Sequence, residues 1–486
     1  MDSQTSGCPG PASAFSSPQA LSAIFHPSRP FAHETSDLAP DPDARFRELQ
    51  NGFRYVLMPN HRPENRVSIH LYVQAGSMHE RENERGLAHF LEHMLFNGSE
   101  NFPPGELVKY FQRIGMRFGP DANAHTGFYS TVYDIDLPAG DPNSLAEALT
   151  VMKDYAAGAL ILETEVDRER PVILAEKRTR DSADYRTFEA VFDFELPEAL
   201  LSRRLPIGTE EVITAADRNL LKSFYDAWYR PERMVLVMAG DFDLAAAEPL
   251  IGKTFSGLTA RAPLREYPDP GVIHHHGNKA FYHHEPEAGG ASVCIETITG
   301  EIAPPDSTDL KRKRLHESMA NHILNQRLAE MLQDPETPFT SARITSGHYL
   351  NYARGADISA ECPPENWEQT LAAIEQVLRR GLTHGFSASE VDLAKKNFLA
   401  HLDKAVKTAA TRESRDLSRQ ILHGIGARQV FRSPDQENVL KSPMIAAATP
   451  ADLHAALGNA WDTGTRLILV TGSAELRELE IAPERR

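Results

Sequence analysis

The stretch RGLAHFLEHMLFNGSE, residues 85–100, places two histidines and a glutamate among apolar residues. At about 100° per residue, a helix over this stretch would carry apolar side chains nearly all the way round, which is typical of a buried helix. Burying His89, Glu92 and His93 without partners would be energetically costly. The stretch therefore predicts a buried helix whose polar side chains share a partner.

The spacing of these three side chains indicates a metal ion as that partner. His89 and His93 are four residues apart and would share one helix face. Neutral imidazoles in this arrangement suit Zn²⁺. Glu92 would lie beside the metal, where it could take a proton from a bound water. The order H-x-x-E-H is the reverse of the H-E-x-x-H motif. We therefore expect one Zn²⁺ per chain.

A zinc site needs a third protein ligand, with a water in the fourth position. The helix-like segment VDRERPVILAEKRTRD, residues 166–181, offers Glu169 and Glu176. They are seven residues apart and fall on one face, so either could reach the histidines. The alternative is a buried helix whose histidines bond to backbone carbonyls and hold no metal.

Composition limits the possible partners. The 486 residues include 41% apolar and 24% charged residues, as in soluble globular proteins, and the net charge is −17. This charge argues against nucleic acid and anionic membranes, and mildly favours basic or unstructured polypeptides, although solubility alone also explains an acidic surface. The three cysteines, without a CxxC pair, make a disulfide framework or a thiolate zinc site improbable.

Targeting signals are weak in this sequence. No stretch approaches the roughly 18 apolar residues that would span a bilayer. The N-terminal residues do not combine a basic start with an apolar run, so the sequence as it stands predicts a cytoplasmic protein. A periplasmic location is the alternative if a signal peptide was trimmed.

Three landmarks recur in the same order, offset by about 224 to 233 residues. They are VSIHLYVQAGS (67–77) with ASVCIETITG (291–300), ETEVDRERPVI (163–173) with ASEVDLAKKNF (388–398), and RMVLVMAGD (233–241) with RLILVTGS (466–473). A long period of mixed strands and helices indicates domain duplication. The predicted fold class is α+β: two duplicated α/β sandwich domains, each a mainly antiparallel sheet with helices packed on one face.

The boundaries follow from this repeat. We predict a loosely ordered tail over 1–42, a zinc-binding catalytic domain over 43–258, a linker over 259–279, and a degenerate second domain without a metal site over 280–478.

Over about residues 43 to 475 the sequence resembles the pitrilysin family of inverted-motif zinc peptidases. The resemblance is carried by GLAHFLEHMLFNGSENFP, GMRFGPDANAHTGFYSTVYDIDLP, EVDRERPVILAEK, RLPIGTEEVI and FYDAWYRPERMVLVMAGD. It implies His89 and His93 as zinc ligands, Glu92 as general base, Glu176 as third ligand and Glu169 as a catalytic carboxylate behind the ligands. It also implies that a peptide adds as a strand beside Asn123, Ala124 and the strand Thr131–Leu137, which includes Tyr133.

The resemblance implies a zinc metalloendopeptidase that encloses short or unfolded polypeptides between two halves. This chain departs from the pattern in several places. Pro171 lies between the two glutamates and can kink their helix, which affects Glu169. Active relatives supply an Arg and a Tyr seven residues apart, whereas Gln333 and Thr340 stand near those places. We therefore expect a homodimer, or a heterodimer with a related subunit that supplies the pair. The alternative is a zinc-binding or non-catalytic subunit, or a peptide-binding assembly scaffold.

Overall fold

The computed structural model describes residues 17–25 and 30–476 and contains two mixed sheets surrounded by helices. The first sheet lies in the N-terminal half of the chain. Its strands are β1 (Arg45–Glu48), β2 (Arg54–Pro59), β3 (Val67–Val73), β4 (Ala122–Thr126), β5 (Thr131–Leu137) and β6 (Met234–Gly240). The helices of this half are α1 (Pro18–Phe25), α2 (Leu87–Met94), α3 (Glu106–Arg113), α4 (Pro142–Lys153), α5 (Glu163–Thr179), α6 (Ala183–Glu195), α7 (Glu210–Ala215), α8 (Arg218–Trp228) and α9 (Leu244–Phe255).

The second sheet lies in the C-terminal half, after residues 256–277, which form no part of either sheet and no helix. Its strands are β7 (Asn278–His284), β8 (Ala291–Gly300), β9 (Ser341–Tyr349), β10 (Ala353–Cys362) and β11 (Arg466–Gly472). Its helices are α10 (Thr308–Met331), α11 (Trp367–His384), α12 (Ala388–Lys407), α13 (Ser414–Gly426), α14 (Pro434–Ala447) and α15 (Pro450–Trp461).

The two sheets have the same strand order once β1 is set aside. The first is ordered β1-β2-β6-β3-β5-β4 and the second β7-β11-β8-β10-β9. One pair in each sheet is parallel, β2 with β6 in the first and β7 with β11 in the second. The pairs that follow in each order are antiparallel. The predicted fold class of two related, mainly antiparallel α/β units is therefore confirmed.

The first sheet carries helices on both of its faces. Alternate strand residues, among them Leu71 and Tyr133, enter one core with the helices of the same half. The opposite face, which includes Tyr72 and Val237, packs on Leu417 and Ile421 of α13. The sequence predicts helices on one face only. The second layer is missed because a repeat does not show which helix of one unit packs on the sheet of the other unit.

The N-terminal segment packs against the rest of the chain where it is described. Ile24 and Phe25 of α1 are buried, and the Phe25 ring stacks on Tyr267 with centroids 5.1 Å apart. Phe31 is also buried, in the core that α13 covers. The prediction of a loosely ordered tail is wrong for these residues, since their apolar side chains find a core elsewhere in the chain. Residues 1–16 and 26–29 lie outside the described residues.

None of the helices within residues 17–25 and 30–476 combines the length and the apolar content needed to cross a membrane.

Candidate metal centre

The metal centre is built on α2, whose start is fixed by Gly86 and Glu80. Gly86 has φ of 105°, a conformation that favours glycine, and the helix begins at the next residue. The buried Glu80 carboxylate accepts hydrogen bonds from the backbone N–H of Gly86 (2.9 Å) and of Ala88 (2.8 Å). Burial raises the pKa of Glu80 to about 8, although these hydrogen bonds oppose the rise. The carboxyl thus satisfies helix-end donors and fixes the position of α2.

His89, His93 and Glu176 converge, as the resemblance to the inverted-motif peptidases implies. The Oε2 atom of Glu176 lies 3.6 Å from Nε2 of His89 and 3.4 Å from Nε2 of His93. One ligand atom from each residue can be chosen so that all lie within 4.8 Å of one another. In a tetrahedral zinc site with bonds of about 2.0–2.1 Å, two ligand atoms are roughly 3.3 Å apart. The two distances to Glu176 are close to the separation of ligands around one ion and are longer than direct hydrogen bonds.

The metal-free alternative requires that the two histidine side chains bond to backbone carbonyls. Within the described residues, neither side chain does so. Nδ1 of His93 lies 2.8 Å from Oε1 of Glu169, and Nδ1 of His89 is buried without a hydrogen-bond partner. Both Nε2 atoms therefore remain directed towards Glu176. Two imidazole nitrogens and one carboxylate oxygen form a donor set that suits Zn²⁺.

Glu169 lies directly behind His93. Its other oxygen accepts a hydrogen bond of 2.8 Å from the Asn97 side chain. A carboxylate in this place fixes the ring orientation and tautomer of the histidine. The helix α5 runs unbroken from Glu163 to Thr179 although Pro171 lies inside it. The kink considered for Pro171 therefore does not separate Glu169 from Glu176, and both face α2.

Glu92 lies on the same helix as the histidines and bonds to the edge of the sheet. Thr126 at the end of β4 donates a hydrogen bond of 2.5 Å to Oε2 of Glu92. Burial raises the pKa of Glu92, and the hydrogen bond from Thr126 opposes the rise. A buried carboxyl with a raised pKa is suited to proton transfer near neutral pH.

The pKa values of the two histidines are shifted in opposite directions. Burial, and then the neighbouring His93, lower the pKa of His89 to about 4. Burial also acts to lower the pKa of His93, but the hydrogen bond to Glu169 and the charges of Glu92, Glu169 and Glu176 outweigh it and the pKa is raised. His89 is therefore neutral at pH 7, which is the form that binds metal.

The predicted peptide-binding residues fall into two groups. Asn123 and Ala124 lie on β4, the edge strand of the first sheet. Apart from a bridge between Ala122 and Phe118, no strand of the described chain pairs with the outer edge of β4. An extended peptide could therefore add beside Asn123 and Ala124.

The prediction that the strand with Thr131 and Tyr133 forms the peptide-binding edge is wrong. β5 pairs with β3 on one side and with β4 on the other, so its backbone has no free edge. Both side chains are buried, and Thr131 donates a hydrogen bond to the Ala75 carbonyl while the hydroxyls of Tyr133 and Tyr229 are 2.7 Å apart. A sequence motif that covers a hairpin does not show which of its two strands lies at the edge.

Sequence reasoning missed four residues that contact the site: Glu80, Asn97, Thr126 and Arg180. Arg180 donates a hydrogen bond of 2.5 Å to Oε1 of Glu176, on the oxygen that does not face the histidines. Arg180 lies four residues after Glu176, which is a recognisable helical ion-pair spacing. The contacts of Glu80 and Thr126 join separate segments, and no local pattern in the sequence indicates them.

Comparison with known proteins agrees with this geometry. A family described as Insulinase (Peptidase family M16) matches residues 55–199, and one described as Peptidase M16 inactive domain matches residues 215–398. Together they cover more than half of the sequence. The chain belongs to the M16 peptidase family.

Relatives and solved structures within this family extend over most of the chain. It is 30% identical over 396 residues to a protein named Probable zinc protease PqqL from Escherichia coli (strain K12), covering 80% of this chain and 42% of that protein. A crystal structure of the first half of the periplasmic protease PqqL from Escherichia coli matches with 26% identity and a TM-score of 0.83, covering 90% of this chain and 93% of that one. The structure of PqqL itself matches with 27% identity and a TM-score of 0.83, covering 90% and 48%. The M16 chain described here spans about half the length of the curated relatives it matches.

The second unit contributes neither member of the expected Arg–Tyr pair at the aligned positions. Gln333 and Thr340 lie in the connection between α10 and β9. The Thr340 backbone N–H and hydroxyl both bond to the Glu361 carbonyl, at 2.8 and 3.1 Å. Thr340 is thus held against the end of β10, while the Gln333 backbone N–H bonds to the Glu330 carbonyl at 3.1 Å.

Proposed function

We propose that this chain is the zinc-bearing half of a metalloendopeptidase that hydrolyses short or unfolded polypeptides. The observation that carries the proposal is the convergence of His89, His93 and Glu176 at separations of 3.4 and 3.6 Å, with Glu92 beside them. The names of the matched relatives, which describe zinc proteases, support the same reaction class.

His89, His93 and Glu176 would hold one Zn²⁺, and Glu169 would keep the His93 ring in its ligating orientation. When bound, the ion polarises a peptide carbonyl and makes water a stronger nucleophile at neutral pH. Glu92 then accepts the proton of the attacking water and passes it to the leaving amine. The free edge of β4 holds the peptide as an added strand, so that its backbone lies along α2.

The resemblance implies an Arg and a Tyr that hold the substrate carbonyl, and this chain has Gln333 and Thr340 near those places. We propose that a second, related half supplies the Arg and Tyr that hold the substrate carbonyl and closes a chamber around the peptide. That half is another copy of this chain or a related subunit. The match to the first half of a protein of about twice the length supports this division.

The second candidate function is that of a peptide-binding or assembly subunit without catalysis. It is favoured by Gln333 and Thr340, which replace the expected pair. A non-catalytic subunit would not explain why three metal-ligating side chains converge beside a buried Glu92. For the compartment, the description of the Escherichia coli neighbour as periplasmic favours the periplasm over the cytoplasm.

The test combines metal analysis with one conservative substitution. Purified chain is expected to hold about one Zn²⁺, and its mass in solution identifies a monomer or an assembly. Cleavage of an unstructured peptide is measured with this chain alone and with a related second half. Glu92→Gln is expected to lower the rate by roughly 10²–10⁴-fold while zinc content stays unchanged.

Glu100→Gln is the matched control, because Glu100 is exposed and lies outside the site. It is expected to leave the rate unchanged. A protein without stoichiometric zinc, or a Glu92→Gln variant with full activity, would show that the proposed mechanism is wrong. Stoichiometric zinc without cleavage in any combination of halves would favour the binding subunit.

A further inference from the structure

Two carboxyl groups bridge the two units of the chain. Glu195 is the last residue of α6 in the first unit, and Glu296 lies on β8 of the second sheet. Their side chains are hydrogen-bonded to each other. Because an ionised carboxylate offers only acceptor atoms, this hydrogen bond requires a proton on at least one of the two groups. We refer to Glu195 and Glu296 as the carboxyl pair.

The surroundings of the carboxyl pair make a second negative charge costly. Oε1 of Glu296 is buried and has no hydrogen-bond partner among the described residues. Asp357 lies directly opposite Glu296 in the antiparallel register of β8 and β10, and like charges placed in this way repel each other. The Asp357 carboxyl accepts a hydrogen bond from the Thr345 hydroxyl. Loss of the shared proton would thus leave a buried charge on Glu296 beside that of Asp357.

A cavity of about 440 Å³ gives the carboxyl pair access to water. Both carboxyls line it together with Asp357, and Arg343 of β9 is a cation in the same lining. This volume is large enough to hold water molecules, so the pair can exchange its proton with the solvent.

Charged groups also lie on the segments that pack against α6. Arg186 of α6 bonds to the Glu285 carboxylate at 2.8 Å and also to Glu287. On β7, Lys279 and His283 lie on the side that faces α6, since the residue between them stacks on that helix. The residues of β11 on this side are apolar. Within residues 17–25 and 30–476, none of these cations forms an ion pair with the carboxyl pair.

Four neighbouring groups titrate outside the range from pH 7 to 9. The His275 ring bonds to the Glu195 backbone carbonyl at 2.7 Å, and burial lowers the pKa of this histidine and of His348 on β9. Burial raises the pKa of Tyr349 on β9, and it raises that of the Cys294 thiol on β8 well above its ordinary value. These four groups therefore keep their charge state between pH 7 and 9.

The carboxyl pair itself changes charge in this range. Burial raises the pKa of Glu195 to about 7, although the bond to Glu296 opposes the rise. Burial, and then the charge of Glu195 and the bond to it, raise the pKa of Glu296 to about 9. The ordinary pKa of both groups is 4.5. The docked form therefore binds more protons than the separated form, so the contact is strongest below pH 4.5 and weakens as the pH rises through 7 to 9.

We infer that the carboxyl pair is a pH-sensitive contact, which holds α6 against the second unit while it contains a proton and releases the helix when the proton is lost. The helix α6 begins seven residues after Glu176, so this contact controls how firmly the segment that follows α5 is held between the units. The inference goes beyond the proposed function, because it requires neither zinc nor a peptide.

Hydrogen exchange of the full purified chain tests this contact. Amide protection is measured by mass spectrometry at pH 7, 8 and 9, with rates corrected for the exchange of free amides at each pH. Protection of α6 is expected to fall about 10-fold per pH unit, because one proton is released when the helix separates. Protection of α11, which has no part in the carboxyl pair, is the internal reference and should change far less.

A double substitution removes the titration but keeps the shape of both side chains. In the variant Glu195→Gln with Glu296→Gln, one amide can donate to the other without a shared proton. Protection of α6 in this variant should stay within about 2-fold over the three pH values. Asp193→Asn is the matched control, because Asp193 is exposed on the same helix, and it should keep the wild-type pH dependence.

Two results would overturn the inference. One is a wild-type α6 whose protection does not change between pH 7 and 9. The other is a pH dependence of α6 that the double substitution leaves in place. If the double variant does not fold, Glu195→Gln alone is compared with Asp193→Asn. Its amide can donate to the Glu296 carboxylate, so most of the pH dependence should be lost, and an unchanged dependence would equally contradict the inference.

Discussion

Helices α5 and α12 occupy equivalent places in the two units but carry different chemistry. The first residues of the two helices, Glu163 and Ala388, are 225 positions apart. By this offset, Ala394 is equivalent to Glu169, and His401 is equivalent to Glu176. In the first unit Glu169 bonds to His93. In the second unit Ala394 is buried in an apolar core and His401 is exposed.

The difference shows that the strand order does not by itself create a site. Both sheets have the same order and directions, and both are covered by helices. The first unit places polar side chains between α2 and α5, where a metal can compensate their burial. In the second unit the two equivalent positions hold a buried alanine and an exposed histidine instead. Two duplicated units can therefore keep the same fold although, within the described residues, the His–His–Glu cluster lies in the first unit.

Loss of a metal ligand should give the largest difference between substitutions at equivalent positions of the two units. Glu176→Ala is expected to weaken zinc binding about 10³-fold, since one of four ligands accounts for roughly a quarter of a binding free energy near 16 kcal/mol. His401→Ala, at the equivalent position of the second unit, should leave zinc binding unchanged. Competition with a chelator measures both affinities. Equal loss in the two variants would mean that the equivalence drawn here is wrong.

Placing the first unit's carboxyl in the second unit should destabilise the fold. Ala394→Glu puts a larger, ionisable group where the side chain is 0% exposed, and we expect a loss of about 3 kcal/mol in the free energy of unfolding from overpacking and an unpaired polar group. Ala400→Glu on the exposed face of the same helix should stay within about 0.5 kcal/mol of wild type. Chemical denaturation measures both, and an unaffected Ala394→Glu variant would contradict the assigned burial.

The contact between Glu169 and His93 should affect metal binding less than a ligand does. Glu169→Gln keeps the shape of the side chain but removes its charge, and we expect zinc affinity to fall about 10- to 100-fold. The exposed Glu163→Gln at the start of α5 is the control and should behave as wild type. A chelator titration that finds no difference between the two would remove Glu169 from the metal centre.

The smallest expected effect concerns the face where the units meet. His70 on β3 is buried, with Nε2 2.9 Å from the Ser418 hydroxyl of α13 and 3.0 Å from that of Ser68. Burial first, and then the charges of Arg419, His125 and Arg415, lower the pKa of His70 to about 3. The unfolded chain binds this proton near pH 6.5, so the contribution of neutral His70 is present above pH 6.5 and is lost as the pH falls towards 3.

In that window wild type should lose up to about 1.4 kcal/mol more stability per pH unit than His70→Asn. His384→Asn, at an exposed position, should keep the wild-type slope. Denaturation midpoints at pH 6.5, 5.5 and 4.5 provide the comparison. Identical slopes for wild type and His70→Asn would show that His70 is accessible to protons in the folded state.

Much of the metal centre could be predicted from local patterns. The spacing of His89 and His93 places both on one face of α2, and the separation of Glu169 from Glu176 places both on one face of α5. The candidate peptide-binding strand was predicted less well, because Asn123 and Thr131 belong to one hairpin and only the sheet order shows that β4 is the outer strand. The packing of Phe25 against Tyr267 joins residues far apart in the chain, which composition cannot indicate.

The sequence by itself determined the duplication, the mixed α/β class and the candidate ligands, because these depend on a repeat along the chain and on residue spacing within individual helices. Only the tertiary structure decided that α13 of one unit covers the sheet of the other and that Thr126 contacts Glu92. Such contacts form between segments whose separation along the chain carries no periodic signal, and they depend on how complete surfaces pack together.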